Sequence, residues 1–214
     1  MRRAAVNDSI KNINDNPLSR RWKQRYHAQP DDIKKRLDEL DNQEINEYQL
    51  KVIKRKRVIP QKGDVFLVSP KESLYFFGLV MEGNVNNING DGLSVVMIFK
   101  DKARSIEDSN FTPDFNNLLI PPATVGREYW TRGYFYNVGH MDASFDDVSY
   151  GFYDIIDGKY YNEYEQEIPE PGDFHLLGTF GVSTINGIAR KINRELIMNS
   201  SLLEIPCTVT VDIC

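Results

Sequence analysis

The sequence predicts an α+β protein: a curved, mostly antiparallel sheet or partial β-barrel, with a C-terminal amphipathic helix packed on it and a short helical extension at the N-terminus. Three observations carry that expectation. Apolar residues recur at helical spacing before residue 55 and again over 184–198. Between these segments, runs rich in β-branched and aromatic residues alternate with Gly, Asn and Asp turn signals. A length of 214 residues with 41% hydrophobic content is enough for a full core. The expected division is a helical extension over 1–55 and an α+β domain over 56–214.

Taken in order, the first 15 residues show no period. Asn16-Pro17 reads as an N-cap followed by Pro at the first helical position, and Leu18, Trp22 and Tyr26 form a stripe at i, i+4, i+8. Pro30 closes that helix. Asp31 and Asp32 open a second one, where they complement the helix dipole, with Ile33, Leu37 and Leu40 on one face. A third starts near Asp41 and carries Ile45, Tyr48 and Val52. After Gly63-Asp64 the pattern becomes extended: Val65–Val68, Tyr75–Met81 and Leu93–Phe99 form a meander, the last two joined through the Asn/Gly-rich 84–92 segment. Further strands are expected at 129–138, 150–156, 159–164, 176–182 and 207–213. The helix at 184–198 sets Ile185, Ile188, Ala189, Ile192 and Leu196 on one face, opposite Arg190, Lys191, Asn193, Arg194 and Glu195.

Charge is unevenly spread. Residues 1–57 hold 15 Lys+Arg against 9 Asp+Glu, a balance of +6; residues 58–214 hold 11 against 22, a balance of −11, and the two sum to the net −5. An acidic body argues against nucleic acid as a partner, because phosphate binding needs Lys and Arg to replace condensed counterions, and favours a basic partner or none; a solvated acidic surface kept for solubility is the alternative. The Lys54-Arg55-Lys56-Arg57 run reads as an exposed lead-in to the first strand, with a nucleic-acid or localisation patch as the alternative. Met1–Asp8 turns polar before any apolar stretch of signal-peptide length, and nowhere do about 18 apolar residues run together, so no membrane association is expected. Cys207 and Cys214 are too close on one expected strand to make a disulfide framework and suit a reducing, cytoplasmic setting.

Motifs for chemistry are missing. His27, His140 and His175 stand apart with no metal-ligand spacing, and the 87–92 loop lacks the bidentate Glu of a calcium loop, which would fall at Ile98. No Gly-x-Ser-x-Gly elbow, Walker loop or Gly-x-Gly-x-x-Gly occurs. No catalytic residue, metal site or cofactor is therefore expected.

The most unusual stretch runs from Asp142 to Asp173, where ten acids face a single Lys159 and alternate with Phe145, Tyr150, Phe152, Tyr153, Tyr160, Tyr161 and Tyr164. Asp157-Gly158 reads as a two-residue hairpin turn that pairs Ile156 with Lys159 and Ile155 with Tyr160. Alternation then assigns Tyr153, Ile155, Tyr160 and Tyr164 to the core and Tyr150, Phe152, Asp154, Tyr161, Glu163 and Glu165 to solvent. Those last six are the candidate binding residues, aromatics supplying contact area and carboxylates steering a basic partner. An ordinary hairpin whose outer aromatics are covered by the N-terminal helices is the alternative.

Four segments carry a family resemblance: Arg57-Val58-Ile59-Pro60-Gln61-Lys62-Gly63-Asp64-Val65-Phe66; Tyr129-Trp130-Thr131-Arg132-Gly133-Tyr134-Phe135-Tyr136; Tyr150-Gly151-Phe152-Tyr153 with Tyr160-Tyr161; and Leu177-Gly178-Thr179-Phe180-Gly181-Val182 with its following helix. Over roughly 55–200 the chain resembles the immunity protein 26 family of bacterial polymorphic toxin systems. The resemblance implies a non-enzymatic cytoplasmic antidote that binds a cognate protein toxin and blocks its active site. It brings no catalytic residue set. A second reading stays open: Pro60-Gln61-Lys62-Gly63-Asp64-Val65 opens a strand as it does in SH3-like barrels that bind or act on nucleic acid.

Overall fold

The apolar runs that follow Gly63 pair in sequence order. In the computed structural model, which describes residues 15–142, 144–172 and 174–205, β1 (Asp64–Lys71), β2 (Leu74–Asn87), β3 (Gly90–Ala103) and β4 (Leu118–Val125) form an antiparallel meander. Strand β5 (Phe135–His140) returns antiparallel to the free side of β1, giving the order β4-β3-β2-β1-β5. The sheet is open, with β4 and β5 as its ends, so it does not close into a barrel.

Strand β4 has no counterpart in the sequence pattern because Pro121 and Pro122 interrupt it. An edge position tolerates them, since the missing N–H groups need not serve a second ladder. The 129–138 run is not one strand either. Tyr129 and Trp130 lie in the helical turn α4 (Glu128–Thr131), Gly133 ends it at φ +83°, and β5 starts only at Phe135. Both rings are buried, Tyr129 at 0% and Trp130 at 1% exposure, whereas strand alternation would have turned one of them outward.

Both faces of the sheet are apolar and covered, which is why β1 to β3 read as continuous apolar runs. On the first face Phe66, Val68, Phe76, Val80, Val96 and Ile98 pack with Ile188, Ala189, Ile192 and Leu196 of helix α5 (Ile185–Met198). The helix is capped by Thr184, whose hydroxyl accepts the Gly187 N–H at 3.0 Å. On the second face Leu67, Phe77, Leu79, Met97 and Phe99 are covered by Phe145 and Phe152, with Phe111 and Phe115 packed alongside.

The N-terminal helices α1 (Pro17–His27), α2 (Asp31–Asn42) and α3 (Ile45–Tyr48) lie on the side of α5. Asn16 and Ser19 form a capping box at the start of α1. Leu40, Tyr48 and Leu50 join the first core. The third helix is shorter than its stripe suggests, because the chain from Leu50 onward is extended. The Lys51 N–H donates to the Ser69 carbonyl at 2.7 Å and the Ile53 N–H to Gly133 at 2.8 Å, leaving Val52 exposed. The face of α5 that reads as polar is therefore covered: Asn193 is buried and donates to the Tyr48 carbonyl at 3.0 Å. Arg190 and Arg194 both meet Asp41. The Lys54–Arg57 run is exposed, in an irregular lead-in.

A second, three-stranded sheet has β6 (Gly151–Tyr153) between antiparallel β7 (Tyr160–Tyr161) and parallel β8 (Leu177–Thr179). All three strands are shorter than expected. The sheet is seated against the β4 edge, where a Cβ on Gly178 would stand 2.3 Å from the Pro122 carbonyl oxygen. The expected strand at 207–213 lies outside the described residues.

Phe66 lies across Gly78 of the neighbouring strand, so that a Cβ at 78 would stand 2.2 Å from the ring. The ring is fixed by stacking on Phe135 at 4.3 Å and by an edge contact with Trp130 at 5.7 Å. Gly78→Ala is expected to destabilise by about 1–3 kcal/mol through overpacking. A lower urea midpoint with an unchanged m-value checks it; an unchanged midpoint would mean that the ring is free to shift.

Candidate functional site

Pairing of β6 with β7 sets Tyr153 opposite Tyr160 and Phe152 opposite Tyr161, two residues out of the register expected from an Asp-Gly two-residue turn. The connection is longer because Asp154 and Asp157 cap it internally. Asp154 Oδ1 accepts the Ile156 N–H at 2.8 Å, Asp157 Oδ1 accepts the Lys159 N–H at 3.0 Å, and the Gly158 N–H donates to the Asp154 carbonyl at 3.0 Å. A shift of two preserves side-chain parity, so Tyr153 and Tyr160 do share a face, with rings 5.2 Å apart.

The expected assignment of faces to core and solvent needs correction. Phe152 is 1% exposed and belongs to the second core. Tyr150 is half-buried beside it, rings 6.0 Å apart. Tyr153 is also buried, so β6 is covered on both sides, while Tyr164, expected in the core, is exposed. The physical reason is that the hairpin covers an apolar sheet face rather than lying on its own. Of the six candidate residues, Asp154, Tyr161 and Glu163 are partly exposed and Glu165 is exposed. Tyr161 packs on Phe180 and donates its hydroxyl to Asp157, at the hairpin end that also carries Asp154. Glu163 lies beside the Tyr150 phenol.

Beyond β7 the chain folds into a tight turn organised by Asn162. Its Oδ1 accepts the N–H groups of Tyr164 at 3.0 Å and Gln166 at 2.9 Å, and Glu165 adopts a left-handed φ of +65°. This turn is fastened to the tip of the β2–β3 hairpin. Asn87 Nδ2 donates to the Glu163 carbonyl at 2.8 Å, and Glu165 Oε2 accepts the Ile88 N–H at 3.1 Å. Two exposed apolar side chains, Ile88 and Tyr164, thereby stand on joined turns among Glu163 and Glu165. Sequence reading missed Ile88 and the β2–β3 tip; the only signal was the Asn-rich loop itself, and nothing local links it to a turn 76 residues away.

The carboxylates of this region are held in place. Glu170 accepts the Tyr160 hydroxyl at 2.8 Å, Glu167 pairs with Lys159, and Asp146 pairs with Lys62 at 3.2 Å while accepting the Ser144 hydroxyl at 2.7 Å. The phenols respond in one direction. The bond to Asp157 pushes Tyr161 up to about 12, burial and then the bond to Glu170 push Tyr160 up to about 12, and burial followed by Glu163 raises Tyr150. Such phenols keep their protons at neutral pH and act as hydrogen-bond donors. The arrangement suits recognition by fixed acids and aromatic surface.

Residues 61–166 match the family model for immunity protein 26, a stretch that runs from the residues before β1 through the Asn162 turn. Over that stretch the chain belongs to this family, whose members are in general immunity proteins and not enzymes. No curated protein and no solved structure matches the chain. No helix among the described residues is long and apolar enough to cross a membrane.

The matched stretch also contains a polar chain that joins β1 to β5. Trp130 Nε1 donates to Asn137 Oδ1 at 2.7 Å, Asn137 Nδ2 donates to Asp64 Oδ2 at 2.9 Å, and Asp64 Oδ1 lies 2.9 Å from His140 Nδ1. His140 Nε2 lies 3.3 Å from Asp142, so both ring nitrogens face carboxylates. The contact with Asp64, more than the burial that opposes it, raises the His140 pKa above its ordinary 6.5. A raised folded-state pKa means that the stabilisation is fully present below the unfolded value, about 6.5, and is lost as pH rises through the folded value. His140→Gln is expected to remove that loss, giving denaturation midpoints that fall less than the wild type's as pH rises above about 6.5; an identical pH profile in the variant would exclude this histidine as the cause.

Proposed function

Because residues 61–166 belong to the immunity protein 26 family, we propose that the chain is the antidote of a polymorphic toxin system, binding a cognate toxin and occupying its active site. Its contact surface is formed by the β2–β3 tip, the β6–β7 hairpin and the Asn162 turn. The observation that carries this reading is the pair of exposed apolar side chains, Ile88 and Tyr164, on turns bonded together and flanked by Glu163 and Glu165. An apolar centre with a charged rim is the usual anatomy of a protein interface. Of the six residues singled out from sequence, Glu163, Glu165, Asp154 and Tyr161 contribute to the contact, and Tyr150 and Phe152 support it from beneath.

The partner this surface suits is basic. Among the described residues from 142 to 170 there are nine carboxylates and one lysine. A toxin that acts on nucleic acid carries cations where phosphates bind, and an array of fixed carboxylates can take those positions, speeding association as it does so. The antidote acts in the cytoplasm of the producing cell, where an incoming or newly made toxin would do its damage.

Binding to the toxin encoded beside this chain checks the reading. Tyr164→Ala is expected to weaken the complex by about 2 kcal/mol, roughly thirtyfold in Kd. Joint replacement of Glu163 and Glu165 by Gln should mainly slow association and flatten its salt dependence. A complex indifferent to all three changes would put the interface elsewhere on the molecule.

A further inference from the structure

The basic run ahead of β1 has no part in the toxin surface. From Lys51 to Arg57 five of seven residues are Lys or Arg, and no carboxylate occurs between Glu47 and Asp64. All five side chains are exposed. Among the described residues none of the five forms an ion pair or a side-chain hydrogen bond, whereas Lys62, just beyond them, meets both Glu82 and Asp146. The residues outside the description hold three Asp in all, Asp8, Asp173 and Asp212, too few to neutralise five cations. The strip also starts at the far end of β1 from the toxin surface: Lys51 is bonded at Ser69, and the β2–β3 tip extends past the Asp64 end.

The segment is fixed although it is neither helix nor strand. The backbone bonds of Lys51 to Ser69 and of Ile53 to Gly133 hold one end, Ile53 and Val58 pack against the two cores, and Pro60 is buried. The approach to Gly133 is so close that a Cβ there would stand 2.8 Å from the Lys54 carbonyl carbon and 2.9 Å from the Arg55 nitrogen. Packing thus turns the apolar residues Ile53 and Val58 inward and displays the cations between these anchors, with their mutual repulsion carried by the folded state. Beside the strip stands Tyr136 of β5. Its ring is half-buried and belongs to neither core, and Lys54 Nζ lies 6.0 Å from the ring centre.

We propose that this strip binds single-stranded nucleic acid, with phosphates against Lys54, Arg55, Lys56 and Arg57 and a base stacked on Tyr136. Charge alone would suit any polyanion. The partly exposed ring favours a strand with unpaired bases, because every base has a planar face to lay on an aromatic side chain. A duplex is disfavoured, since the strip offers neither a helix nor a paired ribbon to enter a groove. The acids that argue against nucleic acid belong to residues 58–214, and none of those described pairs with the strip.

Fluorescence anisotropy of the full chain with a labelled oligouridylate of about ten nucleotides, with no toxin present, tests the proposal. Binding is expected at low salt, log K falling against log salt with a slope of about −3, or about −0.7 for each of the four cations named. Joint replacement Lys56→Gln and Arg57→Gln removes two exposed side chains that make no bond; it should roughly halve the slope and leave the unfolding midpoint in place. Tyr136→Leu keeps the cations and removes the platform, so affinity should fall about tenfold at an unchanged slope. Poly-glutamate of the same length, and the same oligonucleotide annealed to its complement, should each bind at least about tenfold more weakly. Absence of binding at low salt, a slope that the charge change does not move, a Tyr136→Leu chain that binds as the wild type does, or equal affinity for poly-glutamate or the duplex would each overturn it.

Discussion

A single sheet with two apolar faces needs two covers, and most of this structure follows from how the chain supplies them. Phe66 and Phe77, on opposite faces of adjacent strands, mark the demand. Phe66 lies across Gly78 and anchors Trp130 and Phe135, and Phe77 stacks on Phe111 at 4.8 Å. One cover is helical, with α5 laid across the first face and held from behind by α2, α3 and the extended segment at Leu50. The other is assembled from loops and the small sheet, with Phe111, Phe115, Phe145 and Phe152 reaching down. Burying that much apolar surface on both sides leaves the surface chemistry to the backs of the covers.

Those backs differ in charge. The helical cover carries Arg20, Arg21, Arg25, Lys191 and Arg194, and the loop cover carries the run of carboxylates from Asp142 to Glu170. The acids that cluster along the chain from Asp142 therefore also cluster on one surface, whereas the helical cover mixes its cations with Asp31, Asp32, Asp38, Asp41 and Glu195.

Much of this was legible from residue patterns alone. The α5 stripe, the first helix with its Asn16 cap, the second helix, the three-stranded meander and the concentration of acids after Asp142 all follow from local periodicity and composition. The failures share a cause. Pro121-Pro122 hid β4 because a strand signal does not say whether the strand lies at an edge, where proline is tolerated. Tyr129 and Trp130 read as strand because their propensity is extended, but both rings had to enter one core and a helical turn allows that. Phe152 was assigned to solvent because alternation identifies two faces without saying which is wet when the neighbouring element is itself a sheet face. The Ile88–Glu165 contact had no local signal at all.

The acids of the loop cover are bonded locally, and this favours recognition over mere solubility. Lone surface carboxylates sit on mobile side chains, and binding them costs the entropy of fixing each one. Here Asp154 and Asp157 cap their own turn, Glu170 is held by Tyr160, and Glu165 reaches back to the Ile88 N–H. A carboxylate has about four acceptor sites and each local bond occupies one, so most of its capacity to accept from a cationic partner is left. The turns themselves are fixed by Asn162 and Asn87, which sets the spacing between charges before any partner arrives. The cost of ordering this surface is thus met during folding, by the same packing that covers the second face of the sheet.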